Sequence, residues 1–217
     1  MNGVRVLLAD DHTAVRTGLR MILETAEAIT VVGEAADGAT AVAQTRALRP
    51  DVVVMDLRMP GTDGVAATAQ IVAEDLAQVL VLTTFDLDDL VLAALRAGAA
   101  GFLLKTADAA QLLDAVRRVA AGEGVVAPEV TRTLLAAVAA GGPPPRRPDL
   151  SALTAREVDV LRCLGQGLSN TALAGALSIS PLTAKTHVSR LLTKLGLTSR
   201  VQAALLARDA GLLQERC

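Results

Sequence analysis

The pattern of hydrophobic positions divides the chain into two parts. Over the first 121 residues, short apolar runs alternate with stretches whose apolar positions recur at helical spacing, and the connections between them are short. This alternation predicts a doubly wound parallel sheet in an α/β domain. The five predicted strands span residues 4–9, 30–36, 52–56, 79–83 and 101–104, and the five predicted helices span residues 13–25, 39–48, 65–75, 88–97 and 109–121.

A segment rich in glycine and proline separates the two parts. Gly122 and Gly124 end the alternating pattern, and Gly141–Pro148 has the composition of a linker. Residues 128–140 could form one more helix, with a proline in its first turn. We therefore predict a first domain over residues 1–121 and a linker over residues 122–150.

The remaining residues, 151–217, show only helical patterns and predict a second, smaller all-α domain. Thr154 and Glu157 have the spacing of a capping box, and Pro181 suits the first turn of a helix that Ser180 caps. The predicted helices span residues 154–165, 169–177, 180–195 and 199–208. Because only a few residues join the middle two, the pattern is typical of a helix-turn-helix module.

Composition and charge agree with two folded domains. The chain is 52% hydrophobic and 20% charged, which favours a packed core over disorder. Residues 1–121 hold 10 Lys/Arg and 16 Asp/Glu, and residues 122–217 hold 11 and 7, so net charges of −6 and +4 add up to −2 for the chain. This asymmetry suggests different partners, with nucleic acid a candidate for the basic part.

No feature of the sequence indicates a membrane or an oxidising compartment. No apolar run is long enough to span a bilayer, and charged residues begin too early for a secretory signal. Cys163 and Cys217 are far apart and lack the spacing of a metal site. We therefore expect reduced thiols in a cytoplasmic protein without a membrane partner.

Carboxylates follow two strands that should be neighbours in the predicted sheet. Asp10 and Asp11 follow the first strand, and Asp56 ends the third, apolar strand Val52–Asp56. Open α/β sheets bind their ligands at the carboxyl ends of the strands, so the three carboxylates should converge there. Their mutual repulsion would be relieved by a divalent cation, and oxygen ligands favour Mg²⁺.

Two further strand ends complete this predicted site. Thr83 ends the fourth strand and offers a hydroxyl, and Lys105 follows the fifth and offers a positive charge. With a carboxylate nucleophile and a metal, these groups suffice to accept and hold a phosphoryl group. Taken singly, each has another interpretation: Asp10 or Asp11 as the N-cap of the first helix, Asp56 as a turn residue, Lys105 as a solvated strand end, and Thr83 as a strand former.

The first 121 residues resemble the receiver domain of two-component response regulators, which has a flavodoxin-like fold. The matching segments are Leu7–His12, Met55–Pro60 with Gly64, Leu82–Thr84 and Gly98–Lys105. The resemblance implies that Asp56 takes a phosphoryl group from a sensor histidine kinase. It also implies that Asp11 and Asp56 bind Mg²⁺, with Asp10 acting partly through water and the Arg58 carbonyl as a further ligand.

The same resemblance assigns the switch residues. Thr83 would be the hydroxyl that moves toward the phosphoryl group, and its spacing from Lys105 favours it over Thr84. Phe102 falls at the aromatic switch position, although core packing would also explain it.

Residues 151–212 resemble the LuxR-type helix-turn-helix of NarL/FixJ regulators, which binds double-stranded DNA. The matching segments are Leu153–Glu157, Gly167–Asn170, Lys185–Arg190, Lys194–Gly196 and Ser199–Arg200. On the third helix, the candidate base-reading residues are Lys185, Thr186 and Ser189. The candidate phosphate contacts are Arg190 and Lys194 on the same helix and Arg200 on the fourth. A solvated face is the alternative for Lys194 and Arg200.

We therefore expect a transcription regulator, and no enzyme, whose phosphorylation on Asp56 changes dimerisation and DNA binding. The last predicted helix carries Val201, Ala204 and Leu205, which could pair two copies as a homodimer on a two-fold site. An aspartate-nucleophile phosphatase is the less favoured alternative, since such enzymes need an acid where Arg58 stands. A receiver that works without phosphoryl transfer is the other alternative.

Overall fold

The computed structural model describes residues 3–83, 88–126 and 150–213 of the chain. It divides into two compact units, Met1–Val138 and Ala139–Cys217. The predicted helix at residues 128–140 and the linker Gly141–Pro148 lie outside the described residues. None of the described helices combines the length and the apolarity that crossing a bilayer requires.

The first unit is an all-parallel sheet with helices between its strands. The strands are β1 Val4–Ala9, β2 Ile29–Ala35, β3 Val52–Met55, β4 Gln78–Thr83, β5 Gly101–Leu104 and β6 Val125–Val126, and the helices are α1 Thr13–Leu23, α2 Gly38–Leu48, α3 Gly64–Ala73, α4 Asp88–Arg96 and α5 Ala109–Ala120. The strand order is β2-β1-β3-β4-β5-β6. The predicted doubly wound fold and its five strands are confirmed. The short edge strand β6 was not predicted, because two apolar residues give no pattern.

The order of the strands reverses between β1 and β3, which places a crevice at their carboxyl ends. The two strands run in register, with Ala9 opposite Met55. The next backbone contact continues this register, since the Asp56 N–H donates to the Ala9 carbonyl at 2.8 Å. The aspartates that follow β1 and β3 therefore lie at the same level of the sheet.

Strand β3 is buried over its whole length, as its apolar run predicts. Its neighbours on both sides are the strands β1 and β4, and α5 packs against it. Because β3 has no exposed edge or face, the position of Asp56 at its carboxyl end is fixed by the core of the unit.

Helix α1 begins at Thr13, and its N-cap residue is His12, whose side chain makes no capping hydrogen bond. The interpretation of Asp10 or Asp11 as the N-cap of this helix is therefore wrong. Asp10 Oδ1 instead accepts the His12 backbone N–H at 2.8 Å, two residues along the chain. This contact fixes the turn that carries the two aspartates.

Gly64 allows the first turn of α3 to lie directly against the backbone of Asp56 and Leu57. A Cβ atom added to Gly64 would lie 2.0 Å from the Asp56 carbonyl oxygen and 2.7 Å from the Leu57 Cα. The Gly64 N–H donates to the Leu57 carbonyl at 3.1 Å. Any side chain at position 64 must therefore displace either α3 or the end of β3.

We expect Gly64→Ala to destabilise the first unit by about 1–3 kcal/mol, since overpacking against backbone cannot relax by a rotamer change. The measurement is hydrogen exchange of the β3 amides in the full chain, which reports opening of the core. Gly18→Ala in α1 is the matched control, because an added Cβ meets nothing within 4 Å there. It should be neutral or stabilise by up to about 1 kcal/mol. Equal effects of the two substitutions would contradict the close approach at Gly64.

The described residues of the second unit, 150–213, form four short helices around one core. They are α6 Ala155–Gly165, α7 Asn170–Leu177, α8 Pro181–Leu195 and α9 Arg200–Asp209. The predicted capping box of Thr154 and Glu157 is present, and Ser180 caps α8 with Pro181 in its first turn. Leu161, Leu173 and Leu191 are among the fully buried side chains that join α6, α7 and α8. The predicted all-α helix-turn-helix domain is confirmed.

Candidate functional site

The structure brings Asp10, Asp56 and Lys105 together at the carboxyl ends of β1, β3 and β5. Asp10 is 2% exposed and Asp56 is 6% exposed. The Lys105 ammonium donates to Asp10 Oδ2 and to Asp56 Oδ2, at 2.7 Å in both cases. One positive charge thus joins two buried carboxylates that lie 46 residues apart in the sequence. These three residues converge at the carboxyl ends of the strands, as predicted.

The charge of Lys105 is maintained by these contacts. Burial alone lowers the pKa of Lys105, but the hydrogen bonds to Asp10 and Asp56, together with their negative charges, outweigh it and raise the pKa above its usual value. Lys105 is therefore a cation throughout the neutral range and a fixed donor beside Asp56.

The residues after β1 have the composition of a cation site. Single ligand atoms of Asp10, Asp11 and His12 lie within 4.8 Å of one another. Asp11 Oδ1 is buried and receives no hydrogen bond of acceptable geometry from the described residues, although His12 Nδ1 lies 2.6 Å from it. An acidic pair with one unsatisfied buried oxygen fits a hard cation such as Mg²⁺.

Thr83 and Arg58 are two further predicted site residues of the first unit. Thr83 is buried at the end of β4, and its carbonyl accepts the Lys105 N–H at 2.7 Å. Arg58 is exposed, and its backbone N–H lies 3.4 Å from Asp56 Oδ1, a long hydrogen bond.

Phe102 lies on β5, opposite Val81 of β4, and its side chain is fully buried. In this structure it therefore packs in the core of the sheet, which agrees with the packing interpretation and leaves the switch role a prediction.

Arg16 is a site residue that the sequence-based analysis missed. Its Nη1 donates to the Asp10 carbonyl at 2.6 Å, and its Nε donates to Glu34 Oε2 at 3.2 Å. Arg20 also donates to Glu34, and this hydrogen bond holds the pKa of Glu34 below its usual range against the opposing effect of burial. Arg16 thus ties the acidic turn to β2. The available signal was its position in the first turn of the helix that follows the aspartates.

Helix α8 has one exposed polar face and one buried face. Lys185, Thr186, Ser189 and Arg190 are all exposed. The opposite face contributes the buried residues Ala184, Val188 and Leu191 to the core of the second unit. The division of this helix into two faces is as predicted, and the four polar side chains are accessible to a partner such as DNA.

Lys194 lies at the other end of α8 and is engaged within the unit. Its Nζ donates to Glu157 Oε2 at 2.7 Å, and the same oxygen accepts the Thr154 N–H at 2.8 Å. Glu157 therefore caps α6 and also holds the last turn of α8. The hydrogen bond from Lys194, followed by that from the Thr154 backbone, lowers the pKa of Glu157 to about 2. Lys194 is nevertheless exposed, and its predicted role as a phosphate contact stays a prediction.

Arg200 also has partners within the second unit. It is only 9% exposed. Its Nη1 donates to Asn170 Oδ1 at 3.3 Å, and its Nη2 donates to the Leu168 carbonyl. Arg200 therefore fixes the segment that precedes α7. Its predicted phosphate contact stays a prediction.

We expect Glu157→Gln to destabilise the second unit at neutral pH but not in acid. Because the pKa of Glu157 falls from 4.5 to about 2 on folding, its carboxylate stabilises the fold fully above pH 4.5. That contribution is lost as the pH falls toward 2. Urea unfolding at neutral and acid pH measures the difference in the free energy of unfolding between wild type and variant.

Glu27→Gln is the control for this pH dependence, since Glu27 is exposed and forms no ion pair with a described residue. The difference in the free energy of unfolding between wild type and Glu27→Gln should be the same at neutral and acid pH. A loss of stability in Glu157→Gln that is equal at neutral and acid pH would show that the ion pair and cap do not stabilise this unit.

Comparisons with known proteins agree with these two sites. The pattern described as the response regulator receiver domain matches residues 6–117, and the pattern described as bacterial regulatory proteins of the luxR family matches residues 151–207. Response regulator protein VraR of Staphylococcus aureus is 42% identical over 214 residues, which cover 97% of this chain and 99% of VraR.

Two solved structures extend the comparison. The response regulator ChrA of a heme-sensing two-component system is 43% identical, with a TM-score of 0.57 over 98% of this chain and 100% of that one. A structure of two RcsB dimers bound to two parallel DNAs is 26% identical, with a TM-score of 0.57 over 96% of this chain and 99% of that one.

A receiver followed by a luxR-type helix-turn-helix defines the class of DNA-binding response regulators. The identity to VraR extends over both units and nearly the whole length of each chain. The protein therefore belongs to the response regulators of two-component systems, with a receiver domain and a LuxR-type DNA-binding domain.

Proposed function

We propose that Asp56 accepts a phosphoryl group from a sensor histidine kinase and that this modification controls DNA binding by residues 151–217. The observation that carries the proposal is the bridge from Lys105 to Asp10 and Asp56. It gives a buried carboxylate at a strand end a permanent cation within hydrogen-bonding distance, which is the arrangement that phosphoryl transfer to a carboxylate requires.

The transfer follows from the residues at this edge of the sheet. An Asp56 carboxylate oxygen attacks phosphorus, the P–N bond to the kinase imidazole breaks, and the bonding electrons remain on the imidazole nitrogen. Lys105 stays beside the new acyl phosphate and balances its charge. Thr83 is buried at the end of β4. It supplies the hydroxyl that moves toward the phosphoryl oxygens.

Mg²⁺ fits the acidic donors of the same edge. Asp10, Asp11 and Asp56 would hold it with the Arg58 carbonyl, and when bound it neutralises negative charge on the phosphoryl oxygens. The unsatisfied Oδ1 of Asp11 supports this assignment.

The DNA interface is the exposed face of α8. We assign base reading to Lys185, Thr186 and Ser189, whose side chains share that face, and a phosphate contact to Arg190 beside them. Lys194 and Arg200 stay predicted phosphate contacts, and their charged groups also have partners inside the unit.

Phosphorylation would act by favouring a homodimer on a two-fold DNA site. The RcsB dimers on DNA support this idea by resemblance. In α9, Val201 is buried and cannot contribute to a dimer contact, whereas Ala204 and Leu205 are partly exposed. Because β6 belongs to the sheet of the first unit, we place the end of the receiver after Val126 instead of at residue 121. The linker then extends to residue 150, and the DNA-binding domain spans residues 151–217. The cytoplasmic location belongs to the same proposal.

The test compares the full chain before and after treatment with acetyl phosphate and Mg²⁺. Sedimentation gives the oligomeric state, and selection from randomised duplex DNA gives the affinity for enriched sequences. We expect the treated chain to gain one phosphoryl group, to dimerise and to bind the enriched duplex more tightly. Equal dimerisation and binding with and without the phosphoryl group would favour a regulator that works without phosphoryl transfer.

A further inference from the structure

Leu182 lies at the start of α8 with its side chain in solvent. Among the described residues, two large hydrophobic side chains are this exposed: Leu182 at 76% and Met21 of α1 at 69%. The neighbouring apolar residues of the second unit, such as Ile179, pack against its core. Leu182 therefore makes little contribution to the core of this unit, and its apolar surface is accessible to a partner.

The position of Leu182 places it on the DNA-facing side of the helix. It precedes Lys185 by three residues, Thr186 by four and Ser189 by seven, so all four share one face. In helix-turn-helix proteins the residues at the start of this helix contact the edges of the bases. The cap from Ser180 and the fixed backbone of Pro181 hold the first turn in place.

Thr186 reinforces the apolar character of this end of the face. Its hydroxyl donates to the Leu182 carbonyl at 3.0 Å, one turn back along the helix. Since that hydrogen is already used, Thr186 can offer a base only its methyl group and an acceptor oxygen. The first turns of α8 thus present one charged donor, Lys185, beside apolar surface.

We propose that Leu182 is a specificity-determining residue that packs against the 5-methyl group of a thymine in the major groove. This inference rests on the proposed DNA binding by α8. The thymine methyl is the apolar group that base pairs present in the major groove, so it is the complement of an exposed leucine beside a base-reading lysine. Lys185, one turn along, reads a neighbouring base pair through its ammonium.

The expected size follows from burial of one methyl group. Removing a methyl from an apolar contact lowers affinity about four-fold, which corresponds to about 0.8 kcal/mol. Leu182→Ala should cost a similar factor on the thymine duplex and nothing on the corresponding uracil duplex. It should leave the salt dependence of binding unchanged, since leucine neutralises no phosphate.

The test uses the duplex that the phosphorylated full chain enriches from randomised DNA. Each thymine is replaced singly by deoxyuridine, which removes only the methyl group, and affinities are measured by fluorescence anisotropy for wild type, Leu182→Ala and Met21→Ala. We expect one position per half-site where wild type and Met21→Ala lose affinity about four-fold and Leu182→Ala loses none. Far-UV circular dichroism checks that each variant is folded.

The outcomes separate this inference from the proposed DNA binding. If no duplex is enriched, or if Lys185→Ala binds as wild type does, the DNA interface itself is wrong. If a duplex is enriched but contains no thymine within reach of α8, the inference is overturned. It is equally overturned if wild type and Leu182→Ala respond alike to every deoxyuridine.

Discussion

Asp56→Asn should abolish acceptance of a phosphoryl group. After incubation with acetyl phosphate and Mg²⁺, we expect the intact mass of wild type to rise by one phosphoryl group and that of the variant to stay unchanged. The amide keeps the shape of the side chain but not the anionic oxygen that attacks phosphorus. Asp56 is 6% exposed and is hydrogen-bonded to Lys105 at the end of β3. No other aspartate can occupy this position unless the backbone of β3 moves.

Asp75→Asn is the matched control for this substitution. Asp75 is exposed, and its φ of 49° is a conformation that asparagine tolerates well. The control should accept the phosphoryl group at the wild-type rate. A full mass increase in Asp56→Asn would place the acceptor elsewhere, and proteolysis followed by mass spectrometry would locate it.

The receiver site could be predicted because parallel strands constrain it. Asp10, Asp56 and Lys105 each follow a strand end, and the carboxyl ends of neighbouring parallel strands meet at one edge whatever the lengths of the helices between them. The capping box at Thr154 and Glu157 was predictable for a different reason, since its two residues are three apart and one helical turn joins them.

Lys194 and Arg200 have partners within the second unit that the sequence does not predict. Both are long cations on helices that a DNA-binding domain could direct to phosphate. Their observed partners are Glu157, which is 37 residues away from Lys194, and Asn170, which is 30 residues away from Arg200. Such contacts depend on how the helices pack, and neither helical phase nor local spacing contains that information. Arg16 escaped prediction for a different reason: its acceptor near the aspartates is the Asp10 backbone carbonyl, a group that every residue carries.

Lys105→Ala should destabilise the first unit by about 3 kcal/mol at neutral pH, because it leaves two buried carboxylates without their shared donor. The sign of the pH dependence is fixed by the raised pKa of Lys105. Its contribution is fully present below the usual lysine pKa and is lost only as the pH rises through the higher folded-state value. Hydrogen exchange of the β3 amides in the full chain measures the change.

Mg²⁺ should offset much of this loss. A cation bound by Asp10, Asp11 and Asp56 supplies the positive charge that the variant lacks, so saturating Mg²⁺ should stabilise Lys105→Ala more than wild type. By the same coupling, the variant should bind Mg²⁺ more tightly, since a neighbouring ammonium no longer repels the ion. Arg46→Ala is the control: it removes the partner of Glu74 in an exposed ion pair, and it should change stability little and without dependence on Mg²⁺. If Mg²⁺ stabilised wild type and Lys105→Ala equally, Lys105 and the metal would not act on the same carboxylates, and the assignment of Asp10 and Asp56 to a common site would fail.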